Sequence, residues 1–213
     1  MQAARGASLN PSELSSSELN PQGDDNTQEC PDVSSAAPRD PHTQPRRLLT
    51  FAAVAVLVLG CDLASKVWAV ASLQGEAPVT VIPGVLDLTF LRNPGAAFGM
   101  GTGYTVVLST VAVGIAVALA ALAHRLRDRT WAVALGLLLA GALGNLTDRV
   151  FRQPGFMRGH VVDFLELPSW PVFNIADVAI TTAAILVVVQ SLRGVTLEGI
   201  RERDRTAGDR TPW

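Results

Sequence analysis

Four long apolar runs, roughly 48–73, 104–123, 131–146 and 173–192, leave this chain few folds to choose from. A bilayer core about 30 Å thick is crossed by about 20 helical residues, with a workable range of about 17–25. The second run meets that length directly. The third must borrow from its flanks, and the fourth is interrupted by Asn174 and Asp177. In lipid a backbone has to satisfy its own hydrogen bonds, so such runs become helices. The expected fold class is an all-α integral membrane protein with four transmembrane helices. Composition agrees, with 48% hydrophobic residues, 17% charged residues and a mean hydropathy of +0.29. A soluble domain is usually more polar. The net charge of −2 offers no basic surface for nucleic acid. Cys30 and Cys61 form neither a disulfide framework nor a zinc-type spacing.

The flanks are different material. Residues 1–47 are rich in Ser, Pro, Asn, Asp and Gln, with almost no large apolar side chains. Such a segment cannot bury enough surface to offset its ordering entropy, which predicts a disordered tail. Three parts follow: tail 1–47, membrane domain 48–193 and a polar C-terminal tail 194–213. Basic residues set the orientation, because short cytoplasmic connections collect Lys and Arg. Arg46 and Arg47 precede the first span, Arg125, Arg127 and Arg129 fill the link between the second and third, and Arg193, Arg201, Arg203 and Arg205 follow the fourth. Both termini are therefore expected in the cytoplasm, with connections 74–103 and 147–172 outside. The run ending VLGC at 58–61 imitates a lipoprotein signal peptide, but the apolar pattern continues past Cys61 and three more spans follow.

Polar residues within the spans fall at one depth. At about 1.5 Å per residue, Asp62 and Asn145 each lie about 21 Å from the inner face and Asp177 about 24 Å. Ionisable groups at such depth usually face the bundle interior and mark function. A bland reading stands beside each. Asp62 and Lys66 are spaced i, i+4 with the acid first, the favourable order for a helix pair; the alternative for Lys66 is to extend its ammonium to the interface. In GALGNLTDR (141–149), Asn145 and Arg149 share a helix face beside Asp148, and Gly141 and Gly144 would admit a neighbouring helix. A polar helix end explains that motif as well as a ligand site does. Asn174 is the natural N-cap of the fourth helix, with Asp177 at the capping-box position. Asp163 follows Val161-Val162 in a short extended segment, and with Asp177 would form a carboxylate pair able to share a proton. In the first outer connection, residues 79–92 read as a β-hairpin turning at Pro83-Gly84. A stretch of small residues follows, NPGAAFGMGTGY, suited to close approach by an extended peptide. The competing class is a small proton-coupled carrier, yet no comparable polar groups line the inner half of the spans.

CDLASK (61–66), RNPGAAFG (92–99), GALGNLTDR (141–149), GHVVDF (159–164) and FNIADVAI (173–180) together resemble the lipoprotein signal peptidase family, also called signal peptidase II, over about 48–193. The resemblance implies a bacterial cell-membrane protease of the aspartic type, with four transmembrane helices and a small extracytoplasmic β-cradle. It implies cleavage of prolipoproteins before a cysteine already carrying diacylglycerol, with no cofactor or metal, and sensitivity to globomycin-type inhibitors. Matched motif by motif, Asp163 and Asp177 would be catalytic. Asn93, Gly141, Gly144, Asn145, Arg149 and Asn174 would contact substrate or inhibitor. Asp62, Lys66 and Asp148 would support them. A monomer is expected. The connection ELPSWPV between the two aspartates is shorter than the resemblance suggests, and residues 1–47 have no counterpart in it.

Overall fold

A computed structural model describes residues 47–95 and 105–200. Residues 1–46 of the expected 1–47 tail, the glycine-bearing stretch 96–104 and residues 201–213 lie outside the described residues. The element order is α1 (Leu48–Leu73), β1 (Val79–Ile82), β2 (Leu86–Asn93), α2 (Thr105–Leu122), α3 (Arg129–Phe151), β3 (Val161–Glu166) and α4 (Ile175–Leu192), with a 3-10 turn, Ala123–Arg125, closing α2. All four α-helices are long and apolar enough to cross a membrane. Their outward faces carry exposed side chains such as Leu49, Val56, Leu57, Val107, Val117, Ile185 and Val188. That exposure would be unfavourable in water and is the normal state of a lipid-facing surface.

Helix α3 is the centre, packed against α1, α2 and α4. Its inward residues are small: Ala132, Ala134, Ala140 and Ala142 are all buried. A Cβ at Gly136 would meet the Phe51 carbonyl oxygen at 2.9 Å, and one at Gly141 the Ala176 carbonyl oxygen at 2.6 Å. With no hydrophobic drive between helices in lipid, such close backbone approach is what holds them. The third apolar run, 131–146, borrows from both flanks as expected, and α3 reaches Phe151. Asn145 and Asp148 do not terminate it because their side chains find partners inside the protein.

One end of the bundle is tied by backbone and caps. Asp128 caps α3 by accepting from Trp131 N at 2.8 Å and also accepts from Gln190 Nε2 at 3.0 Å. Arg47 N donates to the Leu126 carbonyl, while Arg127 N and Asp128 N both donate to Leu197. Residues 194–200 thus fold back onto the α2–α3 connection. The other end carries a three-stranded antiparallel sheet in the order β1-β2-β3. The predicted hairpin forms, turning at Pro83-Gly84 with Gly84 at φ +73°. β3 pairs with β2, placing Asn93 opposite Val161 and Leu91 opposite Asp163. Val162 and Phe164 seat this sheet on Ala69 and Leu73 of α1, with Trp68 edge-on to Phe164 at 6.4 Å.

Candidate active site

The sheet and the helix ends at its base gather nearly every polar residue singled out in the sequence. β3 brings Asp163 to the start of α4, where Asn174 and Asp177 form a complete capping box. Asn174 Oδ1 accepts from Asp177 N at 3.1 Å, and Asp177 Oδ2 accepts from Asn174 N at 3.2 Å. With its oxygen engaged, the Asn174 amide directs its nitrogen at Asp163 Oδ1, 2.6 Å away. Asn93 repeats the device from β2. Its Oδ1 accepts from Gly95 N at 2.9 Å, and its Nδ2 donates to Asp163 Oδ2 at 2.9 Å. Asp163 is 1% exposed and Asp177 is half-buried. Burial pushes the Asp163 carboxyl up, to about 6, with the amide of Asn93 opposing that rise and the charge of Asp177 adding to it.

Behind the pair lies a buried ionic cluster. Lys66 and Asp62 are both fully buried and lie 2.8 Å apart, so the ammonium stays inside rather than reaching for the interface. Lys66 Nζ also contacts Asp148 Oδ2 at 3.1 Å and Asn145 Oδ1 at 3.0 Å. Asn145 Nδ2 donates to Asp177 Oδ1 at 2.9 Å, which links the cluster to the carboxylate pair. Asp62 Oδ1 accepts from Ala176 N at 2.9 Å, tying α1 to the first turn of α4. Asp148 accepts from Val162 N at 3.2 Å and pairs with Arg152, so one carboxylate fastens β3 to the end of α3. The equal depth counted for Asp62, Asn145 and Asp177 is therefore a real meeting of three helices.

Arg149 lies beside Gly95, where an added Cβ would come within 3.1 Å of its Nη1. That nitrogen is buried and has no hydrogen-bond partner among the described residues. It sits in the field of Asp163, Asp177 and Asp148. Gly141 and Gly144 face protein rather than open space. The first meets Ala176 and Ile180, and the second would place a Cβ 2.3 Å from Asp62 Oδ2. Two residues escaped the sequence reading. Arg152 partners Asp148, and its i, i+4 spacing was the available signal. Gly159 lets the chain cross the end of α3, where a Cβ would lie 2.2 Å from the Asp148 carbonyl oxygen, and its N–H donates to the Arg149 carbonyl at 2.9 Å. Only the glycine in the motif hinted at that crossing.

Fold and site together define a four-helix membrane protein whose buried polar network converges on two carboxylates at one end. A family model described as "Signal peptidase (SPase) II" matches residues 54–193. The chain is 49% identical over 171 residues to the lipoprotein signal peptidase of Rhodococcus jostii (strain RHA1), covering 80% of this chain and 86% of that one. It is 46% identical over 173 residues to that of Mycobacterium avium (strain 104), covering 81% and 94%. A solved bacterial membrane enzyme, determined by the in meso method at 2.3 Å resolution, superposes with a TM-score of 0.63 at 31% identity, over 72% of this chain and 93% of that one. The chain belongs to the signal peptidase II family, and hence to the membrane proteases.

Proposed function

We propose that this protein removes signal peptides from prolipoproteins by hydrolysing the bond before a diacylglyceryl-modified cysteine, with Asp163 and Asp177 as an aspartic dyad. The observation that carries this reading is one residue, Asn174, whose side-chain Nδ2 donates to the buried Asp163 carboxyl and whose backbone N–H donates to the half-buried Asp177 carboxyl, at the end of a lipid-facing bundle. Asp177 is the more open of the two and takes a proton from the attacking water. Asp163, whose burial favours the neutral form, donates a hydrogen bond to the scissile carbonyl oxygen. Water oxygen adds to the carbonyl carbon. Asp177 then returns its proton to the nitrogen as the C–N bond breaks, and the remaining hydroxyl proton passes to the amine, leaving a carboxylate on the signal peptide and a protonated amine on the modified cysteine. Arg149 Nη1, buried without a partner among the described residues, suits a substrate carbonyl that lipid cannot solvate.

The arginine-bearing end, with Arg47, Arg127 and Arg193, faces the cytoplasm on this reading, and so do both termini. The dyad then lies at the outer face, where acyl chains on the cysteine would hold the bond near water. Residues 48–193 are the peptidase domain, working as a monomer, and globomycin-type inhibitors compete for the same cleft. Incubating the purified chain with a diacylglyceryl-modified precursor and mapping the product termini by mass spectrometry tests this. Cleavage immediately before the modified cysteine is expected. No cleavage, or cleavage elsewhere, overturns it.

A further inference from the structure

We propose that Lys66 is a positioning residue for this reaction: held by Asp62 and Asp148, its ammonium fixes the Asn145 amide so that the NH2 group faces Asp177. The inference rests on the dyad reading above. An ammonium has three donors and no acceptor. Lys66 donates to Asn145 Oδ1 at 3.0 Å and is held in ion pairs with Asp62 Oδ2 at 2.8 Å and Asp148 Oδ2 at 3.1 Å, so the amide oxygen is the group that can face it. A side-chain amide can exchange its oxygen and nitrogen by a half-turn, and only its hydrogen-bond partners decide between the two orientations. Lys66 admits one of them. The Asn174 Nδ2 group, 3.2 Å from the same Asn145 oxygen, requires the same orientation.

The consequence appears on the other side of the amide. Asn145 Nδ2 donates to Asp177 Oδ1 at 2.9 Å. A half-turn would set the amide oxygen against that carboxylate and the NH2 group against the ammonium, two opposed contacts in place of two favourable ones. Lys66 therefore acts on a carboxylate it does not touch. Asn174 and Asn93 are oriented likewise, by a backbone N–H each, so these three amides facing the dyad among the described residues are fixed from behind. A helix-stabilising ion pair alone would not need this third contact, and apolar side chains of similar volume often replace a buried pair without loss of stability.

The cluster is charge-balanced, with Lys66 and Arg152 set against Asp62 and Asp148, so Lys66 can be removed together with Asp62. In D62N/K66M the new amide oxygen still accepts from Ala176 N, and the Asp148–Arg152 pair remains. Measured on the full chain in detergent with a lipid-modified precursor, kcat is expected to fall about tenfold or more with KM nearly unchanged, because misorientation acts on the reacting geometry. D62N/K66Q, whose new NH2 group can donate to Asn145 Oδ1, should recover about fivefold or more of that loss. In an Asn145→Ala background, D62N/K66M should change kcat by less than about twofold, since residues acting as one unit are non-additive. Wild-type kcat in D62N/K66M, no recovery in D62N/K66Q, or losses that multiply in the triple variant would each overturn the proposal. Failure of both double variants to fold would assign Lys66 to the fold alone and overturn it too. Asp163→Asn assayed alongside reads the dyad separately, because full activity there would sink the dyad reading whatever Lys66 does.

Discussion

Gly144→Ala should unsettle the polar cluster from behind, at a position the family resemblance would give to substrate. The new Cβ would lie 2.3 Å from Asp62 Oδ2, 3.0 Å from its Cγ and 3.4 Å from Ala176 Cβ. Ordinary contact between heavy atoms is about 3.5–4.0 Å, so roughly 1 Å of space must be opened. Asp62 is not free to yield, since one oxygen accepts from Ala176 N at 2.9 Å and the other holds Lys66 at 2.8 Å. Either α1 withdraws from α3 or one of those contacts breaks. Overpacking costs about 1–3 kcal/mol, and a loosened bond on a buried group adds about 1–3 kcal/mol. A loss of about 2–6 kcal/mol is therefore expected in unfolding of the purified protein in detergent. Gly114→Ala on α2 is the control, because nothing lies within 4 Å of a Cβ there. It should be neutral or slightly stabilising, alanine being the better helix former by up to about 1 kcal/mol. Equal stability of the two variants would refute the packing argument. A Gly144→Ala protein of normal stability but no activity would return this glycine to substrate contact.

Three other outcomes are expected. The Asp163 carboxyl is raised from 3.8 to about 6 on folding, so the unfolded chain binds fewer protons between those values and wild-type stability falls as pH rises through that window. The shift is worth at most about 3 kcal/mol; unfolding midpoints measured from pH 4 to 8 should show that fall in wild type and lose it in Asp163→Asn, and identical slopes would contradict it. Deleting residues 1–44, which precede the Arg46-Arg47 anchor, should leave turnover in detergent within about tenfold, and a larger fall in the still-folded truncated protein would give that tail a role. A precursor of unchanged peptide sequence but without diacylglycerol should be cleaved far more slowly, and equal rates for the two forms would remove the acyl chains from substrate positioning.

The helices were legible because lipid leaves the backbone one solution, and their fixed rise made depth countable. That is why Asp62, Asn145 and Asp177 could be set at one level before their contacts were known. The capping box of Asn174 and Asp177 was legible too, being local. How far α3 extends past its apolar run was not legible, because polar residues beyond Leu146 fit a boundary or a site equally well until their partners are known. Asn145 and Asp148 point at Lys66 and carry the helix on to Phe151. The pairing of β3 with β2 joins Val161 to Asn93 across a whole transmembrane helix pair, and no local pattern encodes it. For the same reason, Val161-Val162 read only as an extended segment. Asn93 was placed in the site by its motif alone, since its bond to Asp163 depends on that sheet register.

The account turns on Asp163 and Asp177 working as one acid–base unit, and Asp→Asn substitution separates charge from shape at each. The decisive measurement is the cleavage rate of a lipid-modified precursor by Asp163→Asn, Asp177→Asn and the double variant, each confirmed folded. Asp87→Asn on β2 serves as the control. Either single substitution should abolish nearly all cleavage, with the double variant scarcely worse, because members of a unit are strongly non-additive. The wild-type pH–rate profile should be bell-shaped, with both limbs belonging to the pair. Asp87→Asn should cleave at close to the wild-type rate. Substantial cleavage by a folded Asp163→Asn or Asp177→Asn protein would contradict the account and remove that carboxylate from the chemistry.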